Sequence, residues 1–366
     1  MSETRKSGER TRLSRLRQKR GLSGWQLLIA LLAAIGLLAA ACTGDDGDGA
    51  AEEPAATTEA MAEEEPTEMP ADEGPDLGSQ TTITLAANPW NGSALNVAVA
   101  AQLLESELGY DVEIVDIDEN AQWAAINTGD ISASLEVWPS GHAQNVIDFI
   151  DNADANVDHA GLLGPVGKIG WFTPTYMIER HPELATWEGF ADPALAGLYA
   201  TAETGDLGQF LGGDPSFVQY DEDIINNLGL PMQVVYAGSE AAILAAVDAA
   251  YSREDPILVY LWTPHSAFNS YDLTNVLLPE YSDDCYATAD AGGVNCDYPA
   301  DVLFKIIDAS LAENAPAADA FLRAMNYDSA DQISMLAAVE GEGMSVDDAA
   351  AAWIADNEAT WSAWLQ

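Results

Sequence analysis

The hydrophobic positions after about residue 80 follow two alternating patterns. Short apolar runs predict strands, and stretches with apolar residues three or four positions apart predict helices. The predicted strands lie at 82–87, 111–116, 131–137, 198–200, 233–236 and 257–261. The predicted helices lie at 93–108, with Ser93 as the N-cap, and at 121–127, 241–250, 300–313, 315–325, 329–339 and 346–365. Strands separated by helices indicate an α/β fold with mainly parallel sheets.

The first 41 residues have the pattern of an export signal. Eight of the 13 Lys and Arg residues lie in the first twenty positions, and an apolar run from Trp25 to Ala41 follows, interrupted by Gln26. A basic start, an apolar middle and a small-residue end are typical of a signal peptide. Positions 38–42 (LAAAC) resemble a bacterial lipobox with its Leu one position early, which predicts lipidation at Cys42. An uncleaved membrane helix is the alternative, and both place the remaining chain outside the cytoplasm.

The chain is strongly acidic, above all in the segment that follows Cys42. Residues 42–80 contain thirteen acidic groups, no basic group and little that a core could bury, which predicts a disordered tether. The whole chain has 60 Asp and Glu residues against 13 Lys and Arg, a formal net charge of -47. Such a charge repels phosphates, so we expect no nucleic-acid partner. Adaptation to saline surroundings explains the charge better than a specific function does.

Two cysteines remain for the folded part, Cys285 and Cys296, in a loop rich in Gly and Asp. Outside the cytoplasm we expect them to form a disulfide. No His lies near either cysteine, the four His residues lack metal-binding spacing, and no G-x-S-x-G motif occurs. The sequence therefore predicts no metal, no cofactor and no catalytic site. A secreted enzyme, such as a glycosidase with paired carboxylates, is the alternative from another class.

Three tryptophans lie near predicted strand ends, where α/β folds bind ligands, and a fourth, Trp171, lies in a Gly- and Pro-rich segment. They are Trp90 (NPWNG), Trp138 (LEVWPSGH), Trp171 (GKIGWFTPTY) and Trp262 (VYLWTPH). Indole faces are good partners for a trimethylammonium group, which has no N–H to donate. Because few basic residues follow Cys42, a ligand carboxylate would bind backbone amides at Gly92 and Ser93, where a helix starts, or His265. For each tryptophan alone the alternative is loop packing, and for His265 it is a structural hydrogen bond.

The segment from about 82 to 366 resembles the glycine betaine/choline-type substrate-binding proteins of ABC importers. The resemblance rests on WNG at 90–92, LLESELGYDVE at 103–113, INTGDISASLEVW at 126–138, GWFTPTY at 170–176, PELATWEGF at 182–190, YLWTPH at 260–265 and the cysteine pair. It implies a two-lobed, type II periplasmic-binding-protein-like clamshell, with lobe 1 at 82–170 plus 266–366 and lobe 2 at 171–265. It also implies an aromatic cage of Trp90, Trp171 and Trp262, extended by Trp138 and Tyr176.

We therefore expect a binding protein, lipid-anchored at the outer face of the bacterial cytoplasmic membrane, that delivers glycine betaine or a related quaternary-ammonium osmolyte to ABC permease subunits. We expect a monomer, because closure of the two lobes on a ligand needs no partner subunit. Choline, carnitine, proline betaine and a sulfonium analogue are alternative ligands. The absence of an acidic residue at Asn91-Gly92 favours betaine over choline. A lipid-tethered sensor that serves no transporter is a further alternative.

Overall fold

Nine strands form one sheet in residues 74–366, the part of the chain that the computed structural model describes. The signal peptide, Cys42 and most of the acidic tether lie outside these residues. In chain order the strands are β1 (Thr82–Ala87), β2 (Asp111–Asp116), β3 (Ala133–Val137), β4 (Val157–Pro174), β5 (Gly208–Gly212), β6 (Met232–Tyr236), β7 (Val259–Thr263), β8 (Leu273–Val276) and β9 (Ala300–Asp308).

Helices cover the sheet and connect its strands. They are α1 (Asn91–Leu103), α2 (Ala121–Thr128), α3 (Ala143–Asn145), α4 (Thr175–Arg180), α5 (Trp187–Phe190), α6 (Pro193–Ala196), α7 (Asp221–Leu228), α8 (Glu240–Arg253), α9 (Ala267–Ser270), α10 (Asp283–Tyr286), α11 (Leu311–Asn314), α12 (Pro316–Ala324), α13 (Ser329–Leu336), α14 (Val346–Asp356) and α15 (Glu358–Trp361). Turns of π-helix lie at Leu104–Leu108, Val146–Ile150 and Ala337–Gly341. Turns of 3₁₀-helix lie at Pro139–Gly141, Pro182–Ala185, Gly197–Tyr199, Ala289–Ala291 and Ser362–Leu365.

The sheet contains two parallel groups joined by antiparallel strands. Its order is β2-β1-β3-β9-β4-β7-β5-β6, and β8 pairs with β4 off this path. The β1, β2 and β3 strands pair in parallel, as do β5, β6 and β7. The first part of β4 pairs antiparallel with β9, and its last part pairs antiparallel with β7 and β8. The β4 strand thus belongs to both halves of the sheet.

The antiparallel centre is where the predictions from sequence were wrong. The segment at 300–313 was expected to be helical, yet Ala300–Asp308 is a strand that is buried from Leu303 onward. The 18-residue β4 strand was not expected, because its Gly and Pro residues interrupt the apolar pattern. The short strand expected at 198–200 is a 3₁₀ turn, and the strand lies later, at Gly208–Gly212. The sequence predicted mainly parallel sheets, whereas half of the strand pairings are antiparallel.

Helix α1 starts directly after β1 and is buried along nearly its whole length. Its residues are mostly small or aliphatic (NGSALNVAVAAQL), which lets it pack closely against β1, β3, α13 and α14. Trp90 occupies the N-cap position with extended backbone, φ -144° and ψ 153°. Ser93 is therefore not the N-cap: it lies inside the first turn, and its hydroxyl accepts the backbone N–H of Asn88 at 3.0 Å. The helix start faces the end of β1.

The cysteine pair and the character of the helices are two further features of the described residues. The sulfur atoms of Cys285 and Cys296 lie at bonding distance, 2.20 Å apart, and their Cα atoms are 6.5 Å apart. Within residues 74–366, no helix combines the length and the apolar character that crossing a membrane requires.

Candidate functional site: an aromatic cavity

Three of the four tryptophans selected from the sequence surround one cavity. The atom-free space within it, including its open mouth, is about 410 Å³. Among the described residues, its lining contains one ionisable carboxylate and no Lys, Arg or His side chain. The lining residues are Trp90, Glu119, Trp138, Ser140, Gly141, Ile169, Phe217, Val218, Tyr260 and Trp262.

Strand ends from both parallel groups bring the aromatic side chains together. Trp90 follows β1 and Trp138 follows β3, two adjacent strands of the sheet. Tyr260 and Trp262 lie two residues apart on β7, so they point to the same face of the sheet. Phe217 comes from the loop between β5 and α7. The cavity thus lies where the two halves of the sheet meet.

The rings are packed edge to face around Phe217. Its ring centroid lies 5.5 Å from that of Trp90, with an interplanar angle of 84°. The corresponding values for Trp262 are 6.0 Å and 87°. Trp90, Trp138 and Trp262 are each 7–8% exposed, so each retains a small accessible surface. Edge-to-face packing of this kind fixes the ring orientations.

A buried carboxylate that sequence reasoning missed, Glu136, holds two of the indoles. It accepts the Nε1–H of Trp90 at 2.7 Å and that of Trp138 at 2.9 Å. The side-chain amides of Asn96 and Gln332 donate to it as well, at 2.6 and 3.0 Å. Burial raises the pKa of Glu136, and the four donors oppose this shift. The signal that could have identified Glu136 is its position within β3, a strand whose five residues are all buried.

Glu119 is the carboxylate of the cavity wall, and it too was missed. Its Oε2 lies 3.0 Å from Nε2 of His142, and its Oε1 accepts the backbone N–H of Val218 at 2.5 Å. Val218 adjoins Phe217, so Glu119 links the loop that carries Phe217 to the other half of the sheet. Only the tertiary structure places Glu119 beside this loop, since 99 residues separate it from Val218.

Trp171 and Tyr176, both expected in the aromatic cage, are not among the residues that line the cavity. Trp171 is fully buried, and its Nε1–H donates to Oδ1 of Asp221 at 2.6 Å. Its strand is covered on both edges, by β7 and β8. The hydroxyl of Tyr176 donates to the carbonyl of Asp255 at 2.7 Å. These contacts direct both side chains into packing on the second half of the sheet.

Gly92, Ser93 and His265, the expected carboxylate-binding groups, are also absent from the lining. The first N–H group of α1, that of Asn91, donates to Oε2 of Glu240 at 2.7 Å. Nε2 of His265 lies 3.2 Å from Oε1 of the same Glu240. A Cβ atom on Gly92 would lie 3.1 Å from the Glu136 carboxylate, so this glycine packs against the buried acid.

Glu240, His265 and Glu340 bring three potential metal-ligating atoms within 4.8 Å of one another. Nδ1 of His265 accepts the backbone N–H of Ala267 at 3.1 Å. Nε2 of His265 and Oε1 of Glu240 lie 3.2 Å apart, and within the described residues neither atom has a hydrogen-bond partner.

Comparisons with known proteins agree with this architecture. Residues 81–356 match the family described as the substrate-binding domain of an ABC-type glycine betaine transport system. A trimethylamine N-oxide-binding protein from Pelagibacter ubique (strain HTCC1062) is 27% identical over 291 residues, which cover 78% of this chain and 90% of that protein.

Two solved structures share the fold. Lactococcal OpuAC, in its closed-liganded conformation with glycine betaine, superposes with a TM-score of 0.61 at 19% identity and covers 78% of this chain and 100% of its own. An ABC-transporter choline-binding protein in complex with choline gives a TM-score of 0.64 at 19% identity, covering 78% of this chain and 92% of its own. The expected type II periplasmic-binding-protein fold is confirmed.

The family match covers most of the chain and all nine strands of the sheet. The family and its structural neighbours are substrate-binding proteins of ABC transporters, not enzymes. This chain therefore belongs to the family of substrate-binding domains of ABC-type glycine betaine transport systems.

Proposed function

We propose that this protein captures a small methylated-ammonium osmolyte in the aromatic cavity and delivers it to the permease subunits of an ABC importer. The observation that carries the proposal is the composition of the cavity wall. Three indoles, a phenol and a phenyl ring surround this space, and Glu119 is the one carboxylate among the described residues that line it. A small hydrophobic substrate would not need the carboxylate, and an anion would be repelled by it.

Cation–π attraction is the physical reason for this assignment. A methylated nitrogen spreads its charge over methyl groups that cannot donate hydrogen bonds, so π-faces compensate its desolvation better than carboxylates alone. Each such contact is worth about 0.5–2 kcal/mol, depending on desolvation. The cage that we propose consists of Trp90, Trp138 and Trp262, completed by Tyr260 and Phe217 in place of Trp171 and Tyr176.

We propose further that the chain closes on its ligand as two lobes, 82–170 plus 266–366 and 171–265. The cavity lining supports these two lobes, because each range contributes residues to it. Trp90, Glu119 and Trp138 belong to the first range, whereas Phe217 and Trp262 belong to the second. A cavity built from both ranges opens when they separate, which gives a ligand its way in.

The N-terminal prediction completes the proposal. Export through the signal at 1–41, lipidation at Cys42 and an acidic tether at 42–80 would hold a monomeric binding domain at the outer face of the cytoplasmic membrane. In that oxidising compartment Cys285 and Cys296 would form a disulfide. Closing a loop of this length stabilises a protein by about 3 kcal/mol in the chain-entropy model.

Calorimetric titration with choline, trimethylamine N-oxide and glycine betaine tests the function. We expect at least one of them to bind, and the Trp262→Ala variant to bind it at least about tenfold more weakly, because a π-face is lost. Trp361→Ala is the matched control, since Trp361 is half-buried near the C-terminus and does not line the cavity. Tightest binding of a ligand without a methylated nitrogen, such as glycine or proline, would refute the proposal.

A further inference from the structure

Most side-chain donors of the cavity wall already have an acceptor within the protein. The indole N–H groups of Trp90 and Trp138 donate to Glu136, at 2.7 and 2.9 Å. The hydroxyl of Ser140 donates to Oδ2 of Asp301 at 2.8 Å. These three side chains therefore offer a ligand their ring faces or their bulk, but no free N–H or O–H group.

Two other donors of the wall are free, the hydroxyl of Tyr260 and the indole N–H of Trp262. Within residues 74–366 neither has a hydrogen-bond partner, and neither is among the fully enclosed polar atoms, so both keep some accessible surface. Tyr260 is 3% exposed and Trp262 is 7% exposed, so bulk water has little access to them. A nearly buried donor without a partner costs free energy until an acceptor binds it.

We propose that Tyr260 and Trp262 donate hydrogen bonds to an oxygen of the ligand, and that they make the protein prefer methylated amines with an anionic oxygen over methylated amines without one. The oxygen belongs to an amine oxide or to a carboxylate. This inference rests on the proposed function and narrows its ligand to a zwitterion.

The geometry of β7 directs both donors toward the same space. Tyr260 and Trp262 lie two residues apart on this strand, on one face of the sheet, and their ring centroids are 5.9 Å apart. An indole N–H can only donate, so the group that it binds must be an acceptor. Hydrogen bonds to an ionised acceptor are about twice as strong as those to a neutral one, which favours an anionic oxygen over the hydroxyl of choline.

The electrostatics of the wall agree with a zwitterion. Burial raises the pKa of the Tyr260 hydroxyl, and the negative charges of Asp221, Glu119 and Asp301 raise it further, so the hydroxyl keeps its proton and remains a donor. Glu119 itself lines the cavity. An oxygen anion alone would be repelled there, whereas the methylated nitrogen of a zwitterion brings the compensating positive charge.

The test measures affinities of the full-length protein for four ligands by calorimetry at pH 7. Trimethylamine N-oxide and glycine betaine carry an anionic oxygen, choline carries a hydroxyl, and tetramethylammonium carries no oxygen. We define the oxygen ratio as the affinity for the tighter of the first two divided by the affinity for tetramethylammonium. For the wild type we expect a ratio of at least about ten. The tighter of the two identifies the oxygen as that of an amine oxide or of a carboxylate.

Tyr260→Phe removes the hydroxyl and keeps the ring. It should lower the oxygen ratio about tenfold, with the affinity for tetramethylammonium changed less than about twofold. Tyr199→Phe is the matched control, because the Tyr199 hydroxyl lies 3.0 Å from Oγ1 of Thr173 and does not line the cavity. It should leave the ratio unchanged.

Trp262→Phe provides a second, independent variant. It weakens the ring face for every ligand and removes the N–H for the oxygen-bearing ones, so the oxygen ratio should fall again, about three- to tenfold. Trp138→Phe is its matched control, since the N–H of Trp138 is bound to Glu136. Both ligands should then lose affinity together, and the ratio should stay the same.

The failures of the inference and of the proposed function differ. An oxygen ratio near one, or tightest binding of choline by the wild type, would overturn the inference and leave the proposed function standing. An unchanged ratio in both Tyr260→Phe and Trp262→Phe would overturn it as well. Binding of none of the four ligands would overturn the inference and the proposed function together.

Discussion

Two buried carboxylates of this protein bind tryptophan side chains, with different consequences. Glu136 accepts the indole N–H groups of Trp90 and Trp138, which line the cavity. Asp221 accepts that of Trp171, which packs against Phe210 in the core at a centroid distance of 4.7 Å. The hydrogen bond is the same in both places. What differs is the position of the indole: Trp90 and Trp138 follow strand ends, whereas Trp171 lies within a strand paired on both edges.

An indole bound to a buried acid is therefore not by itself a sign of a ligand site. Such a bond satisfies the N–H and fixes the ring, which serves packing and recognition equally well. Recognition additionally requires that a π-face remain accessible. Stability and ligand affinity, measured on the same variants, separate the two uses.

The largest effect is expected when either acid is removed. Glu136→Ala leaves four donors without an acceptor and should lower the free energy of unfolding by about 4 kcal/mol. It should also weaken ligand binding about 100-fold, because two cage indoles lose their orientation. Asp221→Ala should cost similar stability but change affinity less than about threefold. Urea denaturation and calorimetry measure both quantities, and equal loss of affinity in the two variants would erase the distinction.

The pH dependence of stability gives the next largest effect. Burial raises the pKa of Asp221 to about 7, far above its value in the unfolded chain. Between about pH 4 and 7 the folded state therefore binds more protons than the unfolded state, so the stability contributed by Asp221 falls as pH rises and is constant above that range.

Asp221→Asn keeps an acceptor for Trp171 and cannot ionise, which makes it the matched variant. Relative to this variant, the wild type should lose about 2–4 kcal/mol of unfolding free energy between pH 4 and 7, measured by denaturation at each pH. A difference that is independent of pH would show that Asp221 does not titrate in this window. Because burial also raises the pKa of Glu136, its Gln variant should show a difference of the same sign.

The smallest effects come from shortening one indole at a time. Trp171→Phe removes the donor to Asp221 and should lower the unfolding free energy by about 1–2 kcal/mol, with affinity unchanged. Trp138→Phe should weaken ligand binding about three- to tenfold through the lost indole face. A loss of affinity in Trp171→Phe that exceeds the loss in Trp138→Phe would return Trp171 to the cage that the sequence predicted.

Local patterns in the sequence were sufficient where an element depends on its own residues. The strands at Thr82–Ala87 and Asp111–Asp116 are confirmed, because alternating or continuous apolar runs of that length favour a strand in any context. The family resemblance is confirmed as well, since it rests on the order of motifs along the chain. The predictions failed for β4 and β9, which are strands because they pair with each other: their paired residues lie 132 (Lys168 and Ala300) to 151 (Val157 and Asp308) positions apart.

The sequence by itself placed Trp90, Trp138 and Trp262 near strand ends, and all three line one cavity. Only the tertiary structure decided that Trp171 packs in the interior and that Glu240 accepts the backbone N–H of Asn91. It alone also decided that Glu119 lines the cavity and that Glu136 binds two of the cavity's indoles. Each of these outcomes depends on a contact between residues far apart in the chain: 149 residues separate Glu240 from Asn91. Periodicity and composition describe neighbours along the chain, whereas a buried charge is placed by the partners that folding brings to it.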